Sequence, residues 1–254
     1  MCGIYGCIAD EAAGQVLEGL RKLEYRGYDS AGLAAILTED ADKIETERTT
    51  GYVSDLVIKA NGRFEGAIIS IGHTRYSTTG SNNLANSQPI RVSGVNGDLL
   101  IGHNGNIINT EEIIELLDSW GVSTFSTTSD SELIAMMYVN APGSNWAEKS
   151  EFSMSKLKGA YSIVMLNKDS LICARDPNGF RPLVLGKFRE GYIVASETCA
   201  FDHVGASFIR EIDPGETIVI NKNGVTSSLI KNNSAKSLCS FEQIYLSRPD
   251  SILD

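Results

Sequence analysis

The stretch "AYSIVMLNKDSLICARD", residues 160–176, decides the fold class. Two short apolar runs flank Asn167-Lys168-Asp169-Ser170, and such runs joined by a short polar turn read as a β-hairpin. The form recurs in "RPLVLGKFREGYIVASE" (181–197) and in "ETIVINKNGVTSSLI" (216–230), the last around Asn223-Gly224. Upstream, "GAIISIGHTRYS" (66–77) reads as a strand, and "GDLLIGHNGNI" (97–107) as a strand running into a turn. Helical spacing appears in "EAAGQVLEGLRKLEYRG" (11–27), where Val16, Leu17, Leu20 and Leu23 share a face. Three more helices are expected from "TEEIIELLDSWG" (110–121), "SDSELIAMMYVNA" (129–141) and "WAEKSEFSMSKLKG" (146–159). Asn109 with Glu112 is placed like a capping box before the first of these. Many antiparallel strands and a few helices, without regular βαβ alternation, predict an α+β layered domain.

Composition narrows the function. The chain has 254 residues, 42% of them hydrophobic, enough for one large core. Its formal net charge of −10 repels phosphate backbones and anionic membranes, so neither nucleic acid nor a membrane is an expected partner. No apolar run approaches the roughly 18 residues of a membrane span, and no basic segment opens a signal peptide, so a cytoplasmic location is expected. The five cysteines, Cys2, Cys7, Cys173, Cys199 and Cys239, are scattered and the three histidines are unclustered. Neither a disulfide framework nor a metal site is expected.

Against that background, "MCGIYGCIAD" (1–10) puts a thiol at position 2. If Met1 is removed, Cys2 carries both a nucleophile and a free α-amine, whose reference pKa near 8 makes it a usable base. The alternative is a small buried residue opening a strand. "GHTRYSTTG" (72–80) delivers Arg75, whose planar fork suits a carboxylate, although it could equally be a solvated strand end. "GHNGN" (102–106) reads as a hairpin turn, or as an asparagine amide and a glycine N–H converging on a developing oxyanion. In "TTSDSE" (127–132), Asp130 is either a helix N-cap or a carboxylate facing an ammonium group. "LEYRGYDSAG" (23–32) is a helix end and turn whose Arg26 could belong to a loop closing over a ligand.

Taken in order, C-G-I-x-G after the initiator, "LEYRGYDSAG", "GHTRYSTTG", "GHNGN" and "TSDSE" resemble the class II glutamine amidotransferase domain, an N-terminal-nucleophile hydrolase, over essentially the whole chain. "NSQPI" (86–90), "ARDPNGFRPLVLGK" (174–187), "ASETCAFDHVGASFIREIDPGE" (195–216) and "FEQIYLSRPDSILD" (241–254) look like the glutaminase half of the glutamine phosphoribosylpyrophosphate amidotransferases of purine synthesis. The nearest competing resemblance, carried by "LEYRGYDSAG", is to the fructose-6-phosphate amidotransferases.

The resemblance implies a four-layer αββα sandwich that hydrolyses L-glutamine through a cysteinyl thioester. Carried over residue by residue, it implies Cys2 as nucleophile and, through its amine, as base. Asn104 and Gly105 would form the oxyanion hole, Arg75 would bind the carboxylate and Asp130 the α-ammonium. Tyr76 and Thr78 would line the pocket, and Arg26 to Asp29 would close over glutamine. It also implies no resident cofactor, a homo-oligomeric full enzyme, and a separate phosphoribosyltransferase domain or subunit that accepts ammonia. Residues 1–230 are then the glutaminase domain, and 231–254 a linker and a segment leading toward that second domain. With Cys2 directly after Met1 no long propeptide is expected. Cys239 lies where some relatives hold an iron–sulfur cluster, and without partner ligands no cluster is expected. The alternatives are the sugar-phosphate type, or a glutamine-binding subunit inactive without its partner.

Overall fold

In the computed structural model, the described residues are 1–37, 40–77, 83–230, 237 and 239–252. One antiparallel sheet is built from β1 (Gly3–Ile8), β2 (Ser30–Leu37), β3 (Asp40–Thr50), β4 (Ala67–Arg75), β9 (Val184–Phe188), β10 (Gly191–Ala195) and β11 (Ser207–Glu211). A second holds β5 (Ile90–Gly94), β6 (Gly97–Ile107), β7 (Gly159–Asn167), β8 (Ser170–Arg175), β12 (Glu216–Asn221) and β13 (Gly224–Leu229). Their orders are β11-β9-β10-β1-β4-β2-β3 and β13-β12-β8-β7-β6-β5. All three expected hairpins are present, with β7–β8 closing at the pair Asn167–Ser170.

The sheets pack face to face, and each carries helices on its outer side. α1 (Ala12–Leu23), α2 (Val53–Ala60) and α6 (Cys199–Val204) cover the first sheet through Val16, Leu20, Leu56 and Phe201. α3 (Thr110–Ser119), α4 (Asp130–Asn140) and α5 (Trp146–Lys156) cover the second through Leu117, Tyr138 and Met154. Between the sheets lies a third apolar layer containing Ile4, Ile71, Leu100, Val164, Leu166 and Leu171. Four layers, αββα, result.

Burial on both faces explains why these strands read as continuous apolar runs rather than as alternating ones. In β7, Val164 and Leu166 point between the sheets while Ile163 and Met165 point to the helices, so the period of two survives only as a choice of core.

One expectation changes here. "GHNGN" is no turn: β6 runs through it to Ile107 and pairs with β7 throughout, Asn104 opposite Ser162 and Gly105 opposite Tyr161. Gly105 makes the pairing possible, because its φ is +152° and a Cβ there would lie 2.0 Å from the Ala160 carbonyl oxygen. Asn109 departs more mildly. It precedes α3 but spends its side chain on Lys156 O, Lys158 N and Glu112, tying the helix to the entry of β7.

Candidate active site

β1 is a central strand of the first sheet, and Cys2 immediately precedes it. Strand pairing therefore aims the nitrogen, the carbonyl and the thiol of Cys2 at fixed neighbours. Its N–H donates to Asn104 Oδ1 at 3.1 Å, its carbonyl accepts from Arg26 Nε at 3.0 Å, and its thiol faces the Tyr76 carbonyl at 3.9 Å. Asn104 comes from β6 of the other sheet, so the contact spans both sheets at one end of the sandwich. Burial pushes the Cys2 thiol up, partly offset by the Tyr76 carbonyl contact and by the positive N-terminus, Arg75 and Arg26.

The Asn104 amide is oriented by this contact. With Oδ1 accepting from Cys2, Nδ2 must turn the other way, and there it is buried with no hydrogen-bond partner among the described residues. A buried, unspent donor beside a thiol is what an attacking nucleophile needs to neutralise a nascent oxyanion.

Arg75 ends β4, buried, and its carbonyl accepts from Asp29 N at 3.0 Å. Tyr76 supplies its carbonyl to the thiol while its ring is half exposed. Thr78 lies outside the described residues. Asp29 accepts from Ser77 N at 2.7 Å, and Gly27 lies so close to the Arg75–Tyr76 backbone that a Cβ would come within 2.4 Å of it. The turn 27–29 thus braces the strand end that presents Arg75.

Asp130 is the first residue of α4, and Ser129, not Asp130, is the N-cap. Its Oδ2 accepts from Ile107 N at 3.0 Å and its Oδ1 lies 3.7 Å from His103 Nδ1. Asp130 lines a cavity of 380 Å³ together with Asn106, Thr127 and Thr128, a size within the roughly 300–1,000 Å³ of small-molecule sites. Cys2 and Arg75 do not line that cavity. A larger one of 760 Å³ opens among the turns at the far end of the sandwich, beside Ile8 and the β7–β8 and β12–β13 turns.

Arg26 is placed differently from the expectation of a loop residue that touches substrate. It closes a 3₁₀ turn, is fully buried, and spends its guanidinium on the Cys2 carbonyl and on Glu197 and Glu242. Three further residues of the site were missed from the sequence: His103, Gln88 and Ser131. Gln88 Oε1 accepts from His103 N at 2.7 Å, Gln88 Nε2 donates to Ser131 Oγ at 2.9 Å, and His103 Nδ1 lies 3.0 Å from the same hydroxyl. This triangle locks β6 beside Asn104 to α4 beside Asp130. Polar residues inside strongly apolar elements were the available signal. Among the described residues no cluster of three or more His, Cys, Asp or Glu side chains is arranged to hold a metal.

Comparison with known proteins places the chain in a family. A glutamine amidotransferase domain model matches residues 73–203, about half of the chain, and the chain belongs to that family. Within it, the amidophosphoribosyltransferase of Bacillus subtilis (strain 168) is 39% identical over the whole chain, and that of Synechocystis sp. 38%. The chain spans about half the length of these curated relatives, 53% and 52%. The solved structure of the B. subtilis glutamine phosphoribosylpyrophosphate amidotransferase, complexed with ADP and GMP, superposes with a TM-score of 0.90 at 37% identity, covering 100% of this chain and 54% of that one. A glutamine aminotransferase class-II domain protein from Silicibacter pomeroyi, 14% identical at a TM-score of 0.60, shares the fold. The chain is thus a glutamine amidotransferase domain homologous to the N-terminal half of the amidophosphoribosyltransferases.

Proposed function

We propose that this domain hydrolyses the side-chain amide of L-glutamine with Cys2 as nucleophile and supplies the ammonia to a phosphoribosyltransferase partner for phosphoribosylamine synthesis. The observation that carries the reading is the Cys2 N–H···Oδ1 Asn104 contact, with Asn104 Nδ2 left as a buried free donor.

With Met1 attached, the Cys2 nitrogen is an amide and cannot act as base. Removal of Met1 turns it into an amine at the same position, beside its own thiol. The amine takes the thiol proton, and a C–S bond forms at the glutamine amide carbon. Asn104 Nδ2 and the Gly105 N–H receive the oxyanion. Collapse breaks the C–N bond as the ammonium returns its proton, so ammonia leaves. Water, deprotonated by the amine, then cleaves the γ-glutamyl thioester to glutamate. Arg75 holds the substrate carboxylate and Asp130 its α-ammonium. Tyr76 lines the pocket. Residues 1–230 carry the reacting groups of the glutaminase.

The test is intact mass of the purified chain before and after a diazo-ketone analogue of glutamine. Loss of Met1 and one adduct, mapped to Cys2, is expected. Retained Met1 with glutamate still produced, or an adduct elsewhere, overturns the assignment.

A further inference from the structure

The glutaminase reading uses the nitrogen and the thiol of Cys2 but leaves its carbonyl unexplained. That carbonyl is held by Arg26 Nε at 3.0 Å, and the guanidinium's two other hydrogen bonds go to buried carboxylates. One nitrogen pairs with Glu197 Oε1, from the β10–α6 turn, and the other with Glu242 Oε1, from a one-turn π-helix spanning Glu242–Leu246. The second oxygen of Glu242 faces Arg181 at 3.7 Å, so two carboxylates meet two guanidinium groups and the cluster is charge-balanced.

Glu197 reaches further along the same segment. Its Oε2 accepts from Arg248 N at 2.9 Å and from Ser251 Oγ at 2.7 Å, while Oε1 also accepts from the Tyr25 hydroxyl. Ile252 N donates to Thr198 Oγ1 at 2.8 Å. Residues 239–252 are therefore no passive tail, since they are bonded at two places into the support of the nucleophile. Buried ion pairs cost much to desolvate and rarely add net stability over apolar packing, so a four-charge cluster placed under a reacting residue suits orientation better than stability.

Resting on the glutaminase reading, we propose that Glu242 and Glu197 are positioning residues for Cys2, acting through Arg26, so that the docking of segment 239–252 sets how the thiol meets Asn104. Arg26 holds the carbonyl of Cys2 while Asn104 holds its nitrogen, and these two contacts define the orientation of the one residue that carries both nucleophile and base. Loosening the Glu242 contact frees Arg26 to turn and leaves its charge less compensated beside the thiol.

The experiment compares the unaltered chain with Glu242→Ala and the isosteric Glu242→Gln. Three quantities are read: kcat and KM for glutamine hydrolysis, the rate at which iodoacetamide labels Cys2, and labelling of the buried Cys7 and Cys173. Expected are a kcat loss of about 10- to 100-fold, a KM within about twofold, and faster Cys2 labelling from the uncompensated Arg26 charge. Cys7 and Cys173 stay unlabelled. Unchanged Cys2 labelling in both variants overturns the proposal whether or not the chain turns over glutamine. So does a kcat loss accompanied by labelling of Cys7 and Cys173, which is loosening of the whole fold. An unaltered chain that releases no glutamate overturns the glutaminase reading alone, because the labelling comparison does not depend on turnover.

Discussion

At the scale of single residues, Asn104 does two jobs with one amide. Its oxygen accepts from Cys2 and its nitrogen is kept unspent. Asn104→Ala removes the donor and the contact that orients the nucleophile. Glutamine hydrolysis should fall by roughly 100- to 1000-fold in kcat, read as glutamate release under saturating substrate. His73 makes a different prediction. Its Nε2 lies 3.1 Å from the His103 carbonyl and so must carry the proton, while Nδ1 is buried with no partner among the described residues. Burial pushes its pKa down to about 3, against an ordinary value of 6.5. Between those two pH values the unfolded chain binds the proton and the folded chain does not. Stability contributed by the neutral ring is therefore complete above pH 6.5 and is lost as pH falls, by up to about 1.4 kcal/mol per unit. Urea midpoints taken from pH 7 to pH 4 should fall less steeply in His73→Gln than in the parent.

At the scale of elements, the site depends on two strands from different sheets meeting at one end. β1 brings Cys2 and β6 brings Asn104, and the layer between the sheets sets their separation. Leu171 on β8 is fully buried in that layer and fills the space over Gly6 of β1, where even a Cβ would come within 2.8 Å of it. Leu171→Ala should cost about 2–5 kcal/mol in urea unfolding, since the loss of buried methyl groups adds to the cavity left behind. The hairpins and the four long helices were legible because each follows local rules of turn chemistry and apolar spacing. The role of "GHNGN" was not. Asn-Gly is a strong turn signal, and only pairing with a neighbour more than 50 residues away, at Tyr161 and Ser162, overrides it.

At the scale of the whole molecule, four layers bury two sheets on both faces, and no helix among the described residues is long and apolar enough to cross a membrane. The chain spans about half the length of its curated relatives, and the proposed glutaminase steps use only groups of this chain. Given glutamine and phosphoribosylpyrophosphate, it should release glutamate and ammonia alone and form no phosphoribosylamine. Phosphoribosylamine in a coupled assay with the purified chain would sink the division of labour proposed above.

The order of the motifs, through their resemblance to a known family, pointed to Cys2, Arg75, Asn104, Gly105 and Asp130 together, and the fold brings the first and third of these within hydrogen-bond distance. The antiparallel, layered class also followed from local signals. Tertiary structure alone decided that Arg26 is a buried strut instead of a loop contact, and that Glu197 and Glu242 stand behind it. The reason is distance along the chain. Arg26 meets partners 171 and 216 residues away, and no local periodicity encodes which acidic side chains will be desolvated together once the layers close.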